Sequence, residues 1–266
     1  MTELAAPAKL NLALVVGPRR ADGKHEVATV LQRVGLADTV ALEPADRLRV
    51  DGFPEDTLVR RALASIAARA GVEPRWRAAI DKRIPVAAGL GGGSSDAAAA
   101  LRLANDSLGA PLSAEDLHAL ASELGADVPF FLTAGPQLGE ADGTRLRRLD
   151  LTQDYWIVIV VPHEVQKSST AAVYAAFDAR EGARGFEQRR AALDRALVLG
   201  DLAGLPPNDL ATSPLAAELR GHGAFRADVT GAGPAVYGLF AEEADAVTAA
   251  AALDAQGRVW LTTTGW

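Results

Sequence analysis

The amino-acid sequence predicts an α+β protein, because segments with the pattern of strands and segments with the pattern of helices follow one another along the chain. Partial alternation of apolar side chains at residues 8–16 and the β-branched run Tyr155–Val161 predict strands. The alanine-rich segment Ser94–Leu108 predicts a helix, and glycine or proline separates most of these elements. In the second half of the chain, the alternation indicates an α+β unit with an antiparallel sheet.

Local signals mark the ends of several predicted elements. Gly71 follows the first helical pattern and is expected to end that helix, and Ser113 lies at the start of the third and is expected to cap it. The predicted strands are 8–16, 27–34, 39–42, 75–82, 155–161, 227–230, 235–240 and 258–263, and the predicted helices are 57–70, 94–108, 112–124, 169–177, 188–199, 214–219 and 244–253.

The composition is that of a globular protein with a sizeable core. Of the 266 residues, 49% are hydrophobic and 23% are charged, which is far from the polar composition of disordered chains. The chain contains no cysteine, so disulfides, thiolate metal ligands and cysteine nucleophiles are all excluded.

Charge and hydropathy narrow the classes of partner. The formal net charge of −7 argues against non-specific nucleic-acid binding, which needs clustered cations. A small anionic ligand stays possible, because a few cations and backbone amides suffice for it. The first residues lack the pattern of a signal peptide, and no run approaches the roughly 20 apolar residues of a membrane span. We therefore expect a cytoplasmic protein that binds neither nucleic acid nor a membrane.

The glycine-rich segment 85–98 is the most informative part of the sequence. Three consecutive glycines let the backbone approach a ligand closely, and two serines and a predicted helix follow them, which exposes N–H and O–H donors to an anion. The segment has neither the Gly-Lys-Ser/Thr of a Walker A loop nor the glycine spacing of a dinucleotide fingerprint. A phosphate site and a plain turn before a capped helix both fit this pattern. The candidate phosphate-binding residues are Pro85, Val86, Ala87, Ala88, Gly89, Leu90, Gly91, Gly92, Gly93, Ser94 and Ser95.

This segment resembles motif 2 of the GHMP kinases. Its three glycines followed by Ser-Ser-Asp-Ala-Ala are similar to the form found in the diphosphocytidyl-methylerythritol kinase family of that superfamily. Further segments resemble the family's other motifs in the expected order, so the resemblance covers essentially the whole chain. These segments are 6–12 (motif 1), 124–131 (the catalytic aspartate), 208–210 (a family triplet) and 229–235 (motif 3).

The resemblance implies a two-domain GHMP kinase fold, in which residues 1–150 are like ribosomal protein S5 domain 2 and residues 151–266 are ferredoxin-like. It also implies an enzyme that uses ATP and Mg²⁺, with the glycine-rich loop around the phosphates and few dedicated protein ligands for the metal. Asp127 would be the general base that accepts the hydroxyl proton. Lys9 would lie beside Asp127 and stabilise the charge that develops on the acceptor oxygen.

The acceptor implied by the resemblance is an alcohol linked to cytidine diphosphate. In the family, a hydroxyl of 4-diphosphocytidyl-2-C-methyl-D-erythritol is phosphorylated to the 2-phosphate, in non-mevalonate isoprenoid synthesis. The implied substrate-binding residues are Asn11, His25, which would hydrogen-bond the edge of the base, and Tyr174, which would pack on its face. Lys24 stands where the family has an aromatic residue that stacks on cytosine.

Two alternatives to this function stay open at this point. The first is a GHMP kinase for another small alcohol, such as a sugar or a homoserine-like acceptor, which Lys24 favours. The second is a nucleotide-binding module without kinase activity, against which the presence of both Lys9 and Asp127 argues. The sequence does not indicate the oligomeric state.

Overall fold

The computed structural model describes residues 1–53, 57–163 and 169–265. The chain forms two compact units, each assembled from separate stretches of the sequence. The first unit contains Met1–Ala8, Leu36–Val86 and Gly91–Ala134, and the second contains Lys9–Gly35, Ala87–Leu90 and the chain from Gly135 onward. The division into 1–150 and 151–266 stays a prediction.

The predicted α+β character is confirmed. The first two strands are long enough for each to contribute to both units. The elements are β1 (Thr2–Arg19), β2 (His25–Pro44), β3 (Arg49–Asp51), α1 (Leu58–Ala70), β4 (Trp76–Asp81), α2 (Gly92–Ser107), α3 (Ala114–Leu124), a 3₁₀ turn (Pro129–Leu132), β5 (Gln137–Ala141), β6 (Arg145–Arg148), β7 (Trp156–Pro162), α4 (Thr170–Ala179), α5 (Phe186–Leu199), α6 (Pro214–Gly221), β8 (Arg226–Val229), β9 (Val236–Phe240), α7 (Glu243–Leu253) and β10 (Gly257–Thr263).

In the first unit, helices and a small sheet share an apolar core. Strand β4 pairs antiparallel with the second part of β2 and parallel with β3. Its side chains alternate strictly between buried and exposed, which is the period of a strand with one face on a core. Helix α1 buries residues at helical spacing, and α2, which is rich in alanine, is buried over most of its length. The buried residues of α1 are Val59, Ala62, Leu63, Ile66 and Ala67.

The second unit contains a four-stranded antiparallel sheet in the order β10-β7-β9-β8. Strand β7 lies inside this sheet and its residues 157–160 are buried, which explains its uninterrupted apolar run. Helices α6 and α7 bury Leu219 and Leu253 in the same apolar cluster as Val158 and Phe240. In the same unit, β5 pairs with the first part of β2 and with β6. The predicted antiparallel sheet is therefore confirmed.

The structure differs from the sequence prediction mainly in the first half of the chain. The strands predicted at 27–34 and 39–42 are one continuous strand, β2, and β1 extends beyond 8–16 at both ends. Helix α2 begins two residues earlier than predicted, because Gly91 adopts a left-handed conformation and serves as its N-cap. Ser113 caps α3 and Gly71 ends α1 as expected. No helix in the described ranges is long and apolar enough to cross a membrane.

Candidate active site

Lys9 and Asn11 lie two residues apart on β1, so their side chains leave the same face of the strand. Both are buried, with exposures of 4% and 5%. The Lys9 ammonium donates a hydrogen bond of 2.5 Å to Asn11 Oδ1, and Asn11 Nδ2 donates to Thr29 Oγ1 over 2.7 Å. A buried ammonium group is costly unless it is hydrogen-bonded. Asn11 therefore holds the charged end of Lys9 in one orientation.

The turn between β8 and β9 joins this network. The backbone N–H of Asn11 donates to Thr230 Oγ1 over 3.0 Å, and Thr230 is fully buried. The side-chain amide of Asn208 donates to the carbonyl oxygens of Val229 and Gly231, at 2.9 and 2.7 Å. The turn is therefore fixed on both sides, by the motif 1 strand and by the residue triplet that begins at Asn208.

The first part of the glycine-rich loop belongs to the second unit and is tied to the same place. Lys9 N–H donates to Leu90 O over 2.9 Å, and Ala235 N–H donates to Ala88 O over 3.0 Å. Gly89 between them has a φ of +84°, and a Cβ atom there would lie 2.4 Å from Thr230 O. Only glycine satisfies both the conformation and the close approach. The loop, motif 1 and motif 3 thus meet around the Lys9 network.

The second part of the loop leads into α2 in the first unit. Ser95 N–H donates to Gly91 O, which closes the first helical turn. The N–H groups of a first turn have no intrahelical acceptors and carry the positive end of the helix dipole, so they favour an anion. Ser95 Oγ is buried and has no hydrogen-bond partner among the described residues. This arrangement can receive a phosphate group.

Asp127 lies in a turn between α3 and the 3₁₀ turn. Val128 N–H donates to Gly125 O, and Phe131 N–H donates to Val128 O. The side chains of Val128, Phe130 and Phe131 are buried, whereas Asp127 is partly exposed. Buried neighbours therefore anchor the turn that presents this carboxylate. Asp127 belongs to the first unit and Lys9 to the second, and their pairing stays a prediction.

The structure brings His25 and Tyr174 together in the second unit. The two rings stack at 4.8 Å between centroids, and Phe177 meets His25 edge-on at 5.8 Å. His25 Nε2 lies 2.8 Å from Asp178 Oδ1, and Arg19 binds the other carboxylate oxygen. Hydrogen bonds from His25 and Arg19 lower the pKa of Asp178, so its negative charge is maintained beside the imidazole. Sequence reasoning missed Phe177 and Asp178.

Lys24, at the position where the resemblance implies an aromatic residue, is held by an ion pair. Its ammonium donates to Asp142 Oδ2 over 2.5 Å, and Thr144 Oγ1 donates to Asp142 Oδ1 over 2.6 Å. Burial alone would raise the pKa of Asp142, but the hydrogen bonds from Lys24 and Thr144 outweigh it and lower the pKa to about 2. No sequence pattern predicts this partner, which lies 118 residues away.

Comparison with known proteins identifies the family. Residues 57–135 match the GHMP kinases N terminal domain, and residues 209–259 match the GHMP kinases C terminal model. A 4-diphosphocytidyl-2-C-methyl-D-erythritol kinase of Geobacter metallireducens is 39% identical over 260 residues, which cover 93% of this chain and 92% of the relative. A protein of the same name from Anaeromyxobacter sp. is 41% identical over 88% of this chain and 81% of its own.

Solved structures agree with this. A crystal structure of 4-(cytidine 5'-diphospho)-2C-methyl-D-erythritol kinase has a TM-score of 0.83 and 33% identity, and covers all of both chains. A homoserine kinase from Cytophaga hutchinsonii shares the fold, with a TM-score of 0.78, 20% identity and coverage of 98% of this chain and 94% of its own.

The fold and the site together define an ATP-dependent small-molecule kinase. The chain belongs to the GHMP kinases and, within them, to the family of the 4-diphosphocytidyl-2-C-methyl-D-erythritol kinases. The family and the two-domain GHMP kinase fold predicted from the sequence are confirmed. The roles of the individual site residues stay predictions.

Replacement of Gly89 by alanine is expected to disrupt the loop. The new Cβ would collide with Thr230 O, and the positive φ would be strained, so the backbone must move away from the Lys9 network. A displacement of this kind is expected to lower kcat/KM for ATP by at least ~100-fold. Gly221→Ala is the matched control, because no atom lies within 4 Å of a Cβ there. Equal kinetics for the two variants would contradict the account of the loop.

Replacement of Lys24 by alanine is expected to remove a pH-dependent contribution to stability. The folded pKa of Asp142, about 2, lies below its ordinary value of 3.8, so the ion pair stabilises the fold above pH 4 and this contribution is lost as the pH falls towards 2. The Asp142 side chain is 14% exposed, and we expect a loss of about 1–2 kcal/mol at pH 7.

Urea unfolding of the wild type and Lys24→Ala at pH 7 and pH 3 measures this difference. The loss should be about halved at pH 3. Arg60→Ala, an exposed cation on α1, serves as the control and should change stability by less than ~0.5 kcal/mol. A Lys24→Ala effect that is the same at both pH values would contradict the assigned pairing.

Proposed function

We propose that this protein transfers the γ-phosphoryl group of ATP to a hydroxyl of 4-diphosphocytidyl-2-C-methyl-D-erythritol and gives the 2-phosphate, a step of non-mevalonate isoprenoid precursor synthesis. The observation that carries the proposal is the agreement with relatives of that name at about 40% identity over most of the chain. The buried Lys9 network, placed against the glycine-rich loop, supports a phosphoryl-transfer site. We expect the enzyme to act in the cytoplasm, without nucleic acid or membrane as partner.

The phosphates of ATP would be bound by the loop residues 85–95. Backbone N–H groups at the start of α2 face an anion without needing a large positive surface, which suits a chain of net charge −7. Mg²⁺ would be held mainly by phosphate oxygens, and the hydroxyl groups of Ser94 and Ser95 are hard oxygen donors of the kind that this ion accepts. When bound, the metal supplies neutralising charge to the phosphates.

Phosphoryl transfer to an alcohol needs a place for the hydroxyl proton and a counter-charge for the acceptor oxygen. We assign the proton to the carboxylate of Asp127. The ammonium of Lys9, held by Asn11, would stabilise the negative charge on the attacking oxygen. Asn11, which the resemblance implies as a substrate-binding residue, would act on the substrate through Lys9, because its side-chain amide is bonded to Lys9 and Thr29.

The cytidine part of the acceptor would be recognised at His25 and Tyr174. Their stacked rings form an aromatic surface of the kind on which a base packs. The contact between His25 Nε2 and Asp178 leaves Nδ1 of the imidazole as the nitrogen that can reach a base edge. The predicted roles of these two residues, with Tyr174 on the face and His25 at the edge, are kept in the proposal.

One observation favours a second candidate, a GHMP kinase for another small alcohol. Lys24 stands where the family has a stacking ring, and its side chain is engaged by Asp142. A base would then be stacked on one side only, which weakens binding by ~1–3 kcal/mol. A sugar or a homoserine-like acceptor has no base and would not need a second stacking residue.

An acceptor panel decides between the two candidates. We expect coupled ADP release with ATP, Mg²⁺ and the cytidylated methylerythritol, and kcat/KM at least ~100-fold lower for homoserine, mevalonate and simple sugars. Turnover of another alcohol in the panel with no turnover of the cytidylated substrate would contradict the proposal and support the second candidate.

Variants of the proposed catalytic pair, measured in the same assay, test the roles assigned to Asp127 and Lys9. Asp127→Asn should lower kcat by ~100-fold or more and change the KM for ATP little. The control variant Asp106→Asn, at an exposed position on α2, should leave both constants unchanged. If Lys9 and Asp127 act on the same oxygen, Lys9→Met combined with Asp127→Asn should lose little more than either single variant. Fully additive losses, or a near-normal kcat for Asp127→Asn, would remove the assigned roles.

A further inference from the structure

Three charged side chains contact one another in the first unit, next to the part of the glycine-rich loop that leads into α2. Lys82, which follows β4, donates hydrogen bonds to Asp38 Oδ2 at 2.5 Å and to Asp96 Oδ2 at 2.7 Å. Both aspartate side chains are 0% exposed and that of Lys82 is 15% exposed. Asp38 lies within β2, and Asp96 lies in α2 directly after its first turn. We call these three residues the Lys82 cluster.

The Lys82 cluster contacts the chain on both sides of the loop. Asp38 Oδ1 accepts hydrogen bonds from the backbone N–H groups of Arg83 and Ile84, at 2.5 and 2.8 Å, directly before the loop begins. Asp96 directly follows Ser95, the last residue of the loop. A Cβ atom at Gly92 would lie 3.3 Å from Asp38 Oδ2, so the cluster also lies against the loop itself.

The charges of the cluster depend on Lys82. Two buried carboxylates so close together repel one another and are costly to desolvate. Burial lowers the pKa of Lys82, but its hydrogen bonds to Asp38 and Asp96 outweigh this and raise the pKa, so the lysine is a cation at neutral pH. Without that cation, the buried carboxylate of Asp96 would lose the ammonium group bonded to its Oδ2, directly after the helical turn whose N–H groups face the proposed anion site.

We propose that Lys82 is a positioning residue for ATP: it joins the two ends of the phosphate-binding loop and cancels the negative charge of Asp96 beneath it. This inference rests on the proposed binding of ATP phosphates at residues 85–95. Lys82 does not contact the reacting atoms in this account. Its removal is therefore expected to weaken nucleotide binding by charge and by loop displacement, and to leave acceptor binding largely unchanged.

The experiment uses two readouts, steady-state kinetics and the Kd of Mg²⁺–ADP by calorimetry. Lys82→Met should raise the KM for ATP and the Kd for Mg²⁺–ADP by at least ~10-fold, and should change the acceptor KM by less than ~3-fold. Arg83→Met is the matched control, because Arg83 is the next residue, its side chain is exposed, and its guanidinium pairs with the exposed Asp81. It removes the same charge and should leave both nucleotide constants unchanged.

A double variant separates charge from general destabilisation. Adding Asp96→Asn to Lys82→Met removes the carboxylate that the lysine neutralised, and Asp38 keeps its two backbone N–H donors. The nucleotide constants of this double variant should return to within ~3-fold of the wild-type values, even if Lys82→Met alone fails to fold. The inference is overturned if Lys82→Met matches Arg83→Met, or if the double variant shows no recovery. A wild-type protein that neither binds Mg²⁺–ADP nor turns over ATP would instead contradict the proposed function.

Discussion

A buried ammonium group must be paired, and in this chain the pairing of Lys9 organises the second unit around it. Asn11 accepts the hydrogen bond from Lys9, and the Asn11 amide and backbone are in turn held by Thr29 and Thr230. The backbone of Lys9 also donates to the glycine-rich loop at Leu90. Strand β1, strand β2, the turn after β8 and the loop therefore share one polar network, and a change in any of them alters the position of the same charge.

The chain has a net charge of −7, and yet it belongs to a family of kinases that use ATP, a polyanion. Groups close to the glycine-rich loop, and not the net charge of the chain, can supply the positive charge that ATP needs. The N–H groups at the start of α2 offer partial positive charge without any cationic side chain. Two lysines add full charges, Lys9 beside the first part of the loop and Lys82 behind the second, and each is held by buried polar partners.

Sequence reasoning succeeded where the signal is local or periodic. The buried run of β7, the capping of α3 by Ser113 and the glycine-rich loop all follow from short patterns. It missed β3, β5 and β6, which have three to five residues each and give too little pattern to detect. It also gave β2 as two strands, because Gly35 lies between the two apolar stretches.

The partners of the charged residues were beyond the sequence for a different reason. Asp142 lies 118 residues from Lys24, Asp178 lies 153 residues from His25, and Asp38 lies 44 residues from Lys82. No sequence pattern predicts which distant residue an aspartate on a strand or in a turn will pair with, since only the fold brings the two together. The resemblance to a family supplied the catalytic candidates, and the structure supplied the acidic partners of Lys24, His25 and Lys82.

Hydrogen exchange of the backbone amides, with and without Mg²⁺–ADP, tests most directly whether the glycine-rich loop binds nucleotide phosphates. The account predicts that exchange slows by at least ~10-fold for amides in residues 85–95 and stays unchanged in α7, which lies outside every proposed contact. Protection confined to other parts of the chain, with the loop amides exchanging as before, would contradict it.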